Sequence, residues 1–60
     1  MTNISYKQYT LHIWQDDNKW YSCRSSTING IYSESDDLGP FDSRQEAINE
    51  QKEDIKAYEG

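Results

Sequence analysis

Between Tyr6 and Trp14 the chain alternates, with Tyr9, Leu11 and Ile13 on one side and Gln8, Thr10, His12 and Trp14 on the other. A period of two over good strand formers predicts a half-buried strand. The polar run Gln15-Asp16-Asp17-Asn18-Lys19 predicts a turn, and a second strand is expected from Trp20 to Thr27 or Ile28. Asn29-Gly30 is a strong hairpin signal, because a type I′ turn needs positive φ at both central residues. A third strand is then expected over Ile31 to Ser35, and Asp36 to Phe41 reads as a loop broken by Gly39-Pro40.

Ser43 and Glu46 have the spacing of a capping box, so a helix should start there. Ile48, Gln51, Ile55 and Tyr58, with Ala47 beside them, form a narrow stripe at helical spacing, and Gly60 stands as a C-terminal stop. The predicted architecture is a single α+β domain over residues 1–60. It is a three-stranded antiparallel sheet in the order β-β-β-α, with the C-terminal helix packed on one face.

The turns also predict a register. Pairing Trp14 with Trp20 sets Ile13 opposite Tyr21 and Leu11 opposite Cys23, while the Asn-Gly turn sets Thr27 opposite Tyr32. Tyr9, Leu11, Ile13, Tyr21, Cys23 and Tyr32 would then lie under the helix. The opposite face would carry Thr10, His12, Trp14, Trp20, Ser22, Arg24, Ile28 and Ile31 with nothing over it. Of these, His12, Trp14, Trp20, Arg24, Ile28 and Ile31 are the candidate partner- or dimer-binding residues, since Trp and Arg tend to dominate binding energy at interfaces.

Composition sharpens this picture. The 60 residues are 33% hydrophobic, and Val is absent. Burying a large aliphatic side chain contributes about 1.5–3 kcal/mol, against about 1–2 kcal/mol of backbone entropy per ordered residue. A lone copy should be marginal, which predicts a homodimer formed by the open face or by an edge strand. No apolar run approaches a membrane span and no apolar leader is evident at the N-terminus, so a soluble, cytoplasmic protein without membrane partners is expected.

Charge is uneven. The net is −5, with three basic residues against two acidic in residues 1–30, and three against nine in residues 31–60. Glu46–Glu50 and Glu50–Asp54 are like-charge pairs at i, i+4, which weaken an isolated helix. Glu46, Glu50, Glu53 and Asp54, extended by Asp36, Asp37 and Asp42, are therefore read as an acidic ridge for a basic protein partner, such as a nucleic-acid-binding protein. Spaced carboxylates of this kind can mimic the phosphates of a nucleic acid.

No catalytic chemistry is predicted. Cys23 and His12 fall on opposite faces in the predicted register, out of reach of each other. With a single Cys and a single His no metal site is expected, and the paired aspartates lack calcium-loop spacing. Gly30, Gly39 and Gly60 form no phosphate-cradling loop, so no cofactor is expected. Trp14, Trp20, Arg24, Lys19 and Lys7 suggest an alternative, a nucleic-acid-binding sheet module. A sheet followed by a helix resembles the arm-binding domains of phage integrases, but those are basic. A third class is an accessory or assembly domain without an inhibitory role.

The run Asp42-Ser43-Arg44-Gln45-Glu46-Ala47-Ile48, continued by Lys52-Glu53-Asp54-Ile55-Lys56-Ala57-Tyr58, resembles the helix of HicB-type antitoxins. The strand order resembles the partial RNase H-like module of those proteins. The resemblance implies a non-enzymatic module that masks a protein partner, in the manner of an antitoxin or a phage-type anti-defence inhibitor.

Overall fold

A computed structural model describes residues 2–59. It has five strands and one helix: β1 Thr2–Tyr6, β2 Tyr9–Asp16, β3 Lys19–Ile28, β4 Ile31–Glu34, β5 Leu38–Phe41 and α1 Arg44–Glu59. The α+β class and the single C-terminal helix stand as predicted, but the sheet has five strands rather than three. Two features of the sequence hid the extra strands. Lys7 adopts φ 55° without being Gly or Asn, so Tyr6 pairs back onto Tyr9 across a turn that the alternating pattern ran straight through. The segment Leu38–Phe41, predicted as loop, pairs with β3 as an edge strand, where a proline removes no required hydrogen bond.

The strands run in the antiparallel order β1-β2-β3-β4, with β5 also on β3. β4 pairs with Ser25–Ile28 and β5 with Trp20–Ser22, so the two short strands share one edge of β3 end to end. Gly39 makes this possible. It has φ 137°, and a Cβ there would stand 2.7 Å from Tyr21 Cδ1 and 2.8 Å from the Trp20 carbonyl oxygen.

The decisive correction concerns register. Asp17 and Asn18 both take positive φ, 52° and 64°, so the turn is only two residues long. Asp16 pairs with Lys19, and Trp14 therefore faces Tyr21, not Trp20. A one-residue shift sends every side chain of a strand to the other face. Trp20, Ser22 and Arg24, expected on the open face, point toward the helix; Tyr21, Cys23 and Tyr32, expected under it, lie on the uncovered side. The Asn29-Gly30 turn and the Thr27–Tyr32 pair are as predicted.

The core consists of Leu11, Ile13, Ala47, Ile48 and Ile55, with Ile4, Tyr6, Tyr9, Trp20 and Phe41 packed against it. The helix starts as predicted, with the Glu46 N–H donating to Ser43 Oγ at 3.1 Å. The Glu46 carboxylate reaches back to the Asp42 N–H at 3.0 Å, one residue earlier than a standard capping box. Tyr58, placed on the apolar stripe, is 75% exposed. Gly60 lies outside the described residues.

Ser22 and Gln51 are fully buried where the helix crosses β3. Ser22 Oγ donates to the Ala47 carbonyl at 3.0 Å and also lies 3.2 Å from Gln51 Oε1. Gln51 Nε2 has no partner among the described residues. An unpaired buried amide costs about 1–3 kcal/mol, whereas Ser22 keeps the Ala47 carbonyl if Gln51 is replaced. Gln51→Met should stabilise the domain by about 1 kcal/mol, raising Tm by about 4–8 °C. Thermal unfolding followed by circular dichroism measures this, and a lowered Tm would show that the amide is a net stabiliser.

Candidate functional site

Strand alternation places His12, Trp14, Tyr21, Cys23, Ser25, Tyr32 and Glu34 on the sheet face away from the helix. Trp14 and Tyr21, directly opposed across β2 and β3, stack with ring centroids 6.0 Å apart and planes 16° from parallel. His12 bridges three strands: its Nδ1 lies 2.9 Å from Asn3 Oδ1 and its Nε2 2.9 Å from Ser25 Oγ. In the tautomer with its proton on Nδ1, the ring donates to Asn3 Oδ1 and accepts from the Ser25 hydroxyl at Nε2.

A groove of about 400 Å³ lies on this face, lined by His12, Trp14, Cys23, Tyr32, Glu34 and Asp37. Cys23 forms its floor, 7% exposed. Its thiol is pushed up from the ordinary value by burial first, and then by the carboxylates of Asp37 and Glu34. The negative field of those two acids therefore reaches into the groove.

His12 and Cys23 are register partners on one face, so the predicted separation of the two does not hold. A dyad is disfavoured for a different reason. Both ring nitrogens are engaged by Asn3 and Ser25, and the thiol is held in its protonated form. Among the described residues, no three His, Cys, Asp or Glu side chains gather as metal ligands, and no helix is long and apolar enough to cross a membrane.

The predicted open-face residues divide into three groups. His12 and Trp14 are on the uncovered face. Trp20 packs against the core, and Arg24 is enclosed beneath the helix, its side chain 11% exposed. The Arg24 guanidinium carbon lies 5.5 Å from the ring centroids of both Tyr9 and Tyr58, and Nη1 donates to Asp54 Oδ2. Ile28 and Ile31 sit at the tip of the β3–β4 hairpin on the helix side, 52% and 70% exposed.

The predicted acidic ridge is thinned by structural duties. Glu46 caps the helix, Asp54 holds Arg24, and Glu53 lies 3.7 Å from Lys56. Asp42 accepts from Lys19 Nζ at 2.7 Å, which lowers its carboxyl below the usual range. Glu50, Asp36 and Asp37 make no ion pair among the described residues. Glu34, absent from the predicted ridge, stands beside Asp37 on the groove. Its parity with Tyr32 on the strand after Asn29-Gly30 was the available signal. A joint stacking and phosphate-contacting face is not assembled either, because Trp14 and Trp20 lie on opposite sides of the sheet and Lys7 pairs with Glu59 at 2.8 Å.

No protein-family model, curated protein or solved structure matches the chain.

The groove's electrostatics can be read through Cys23. The thiolate is the reactive form, and the folded thiol ionises at higher pH than the unfolded one. Alkylation by neutral iodoacetamide at pH 7.5 should therefore be roughly tenfold or more slower in the native chain than in urea, with the native rate still climbing where the unfolded rate has levelled off. Replacing both Glu34→Gln and Asp37→Asn should speed the native reaction. Equal native and unfolded rates would remove the buried, negatively biased floor.

Proposed function

We propose that this chain is a non-enzymatic acidic binding protein that masks a basic surface on a protein partner through its uncovered sheet face. The observation that carries this reading is the groove in which Trp14 and Tyr32 stand beside the unpaired carboxylates of Glu34 and Asp37. Aromatic faces and carboxylates together favour cationic side chains, and the net charge of −5 favours approach to a basic partner. The resemblance of the helix to that of HicB-type antitoxins supports the same class of action, an antitoxin-like or anti-defence inhibitor. Nucleic acid is the less favoured partner, because Arg24 is enclosed and Lys7 and Lys19 are engaged in ion pairs.

Affinity capture from host lysate, with parent and Trp14→Ala baits and with nuclease treatment, tests the reading. The parent should retain a basic protein after nuclease, and Trp14→Ala, folded by circular dichroism, should lose most of it. Capture that vanishes with nuclease would favour the nucleic-acid reading. Capture untouched by Trp14→Ala would remove the open face.

We also propose that the chain pairs with a second copy through the hairpin tip. Ile28 and Ile31 are half or more exposed there, and Tyr58 lies on the same side of the sheet. Sedimentation at tens of micromolar should give twice the 7.1 kDa chain mass, and Ile28→Lys with Ile31→Lys should give the monomer. A monomeric parent overturns this.

A further inference from the structure

The chain shows, at the edge of its sheet–helix contact, how it accommodates an arginine. Arg24 lies between the rings of Tyr9 and Tyr58 with a carboxylate, Asp54, on its guanidinium. The uncovered groove collects the same kinds of group on the opposite face of the sheet. Trp14 comes from β2, Tyr32 and Glu34 from β4, and Asp37 from the link between β4 and β5.

The acids of this groove are among those that hold no cation of the chain itself. Asp42, Glu53, Asp54 and Glu59 each stand within ion-pair distance of a cation, whereas among the described residues Glu34 and Asp37 meet none. They are also the two carboxylates whose field reaches the Cys23 thiol. Two uncompensated charges beside aromatic rings, over a floor nearly closed to solvent, form a surface complementary to a planar cation. A guanidinium stacks on an aromatic face while donating in parallel to carboxylates, and an ammonium cannot do both with the same geometry. The groove, about 400 Å³, lies within the usual ~300–1,000 Å³ range of small-ligand sites.

We infer that this groove is an arginine socket, in which one arginine side chain of a basic protein partner stacks against Trp14 and pairs with Glu34 and Asp37. The inference rests on the proposed masking of a basic partner and names the contact that would do it. Tyr32, 59% exposed, lines the groove from the β4 side.

The test uses the full chain with hexa-arginine and hexalysine peptides as probes, at about 150 mM salt, where surface charges beyond ~8 Å are largely screened. Binding is read by tryptophan fluorescence and by protection of Cys23 from iodoacetamide. Two variants carry the same change of net charge: Glu34→Gln with Asp37→Asn in the groove, and Glu50→Gln with Glu53→Gln on the helix. Hexa-arginine should bind the parent several-fold more tightly than hexalysine and should slow Cys23 alkylation roughly fivefold or more. The groove variant should weaken hexa-arginine roughly tenfold or more, and the helix variant by less than about twofold, as expected for an exposed charge.

Equal weakening by both variants, or a Cys23 rate unmoved by saturating peptide, overturns the socket. Hexalysine matching hexa-arginine overturns the choice of arginine. Loss through the helix variant alone overturns the socket but leaves the basic-partner reading standing on the helix acids. No binding to the parent even at low salt overturns both.

Discussion

Two residues, Asp17 and Asn18, decide what each side of this protein displays. Their positive φ values close the β2–β3 turn in the shortest way a type I′ hairpin allows. Because side chains alternate along a strand, that turn determines which half of β3 meets the helix. Ser22 can then receive the helix at close quarters, and Arg24 can reach Asp54 beneath its last turns. The same choice turns Tyr21 and Cys23 outward, where they meet Trp14 and His12. Core and surface are two results of one turn.

The sheet–helix interface is small and uses polar groups where a larger domain would use aliphatic ones. Five buried apolar residues form its centre, Ile4, Tyr6, Tyr9, Trp20 and Phe41 pack around them, and side chains with polar ends add to the attachment. The Ser22–Ala47 hydrogen bond sits in the middle, and Arg24 between two tyrosines ties the C-terminal end of the helix to β3. Lys7 and Glu59 tie the first turn to the last turn of the helix, and Lys52 lies 5.2 Å from the Tyr6 ring centroid. Such contacts are individually modest but directional. They orient the helix on the sheet where shape alone would leave it free to slide.

Local rules with strong chemistry were legible in the sequence. The Asn29-Gly30 turn, the Ser43 cap, the buried positions Ala47, Ile48, Gln51 and Ile55, and the inward side of β2 all follow from them. The rest escaped for identifiable reasons. Lys7 carries no signature of its turn, so one apparent strand proved to be two. Asp17-Asn18 sits within a five-residue polar run, in which several turn lengths satisfy the same pattern. A choice wrong by one residue exchanged Trp20 and Arg24 with Tyr21 and Cys23. Leu38–Phe41 holds Gly and Pro, which argue against a strand until the edge position is known. The groove depends on the second of these, since Cys23 shares a face with His12 and Trp14 only in this register, and its residues come from β2, β3, β4 and the link after β4. Spacing along the chain could not bring them together.

The division of one edge of β3 between β4 and β5 has a consequence for solubility. An uninterrupted exposed edge is a template on which a foreign strand can lengthen the sheet. Here the edge is broken at Ser35–Asp37, where Arg24 takes its local hydrogen bonds from Ser35. Its irregular second half contains Pro40, and two aspartates stand at the break. A strand arriving from another molecule would find no more than four consecutive residues to pair with before the ladder failed. The gap that sets Asp37 beside the groove thus also guards the protein against runaway sheet extension along that side.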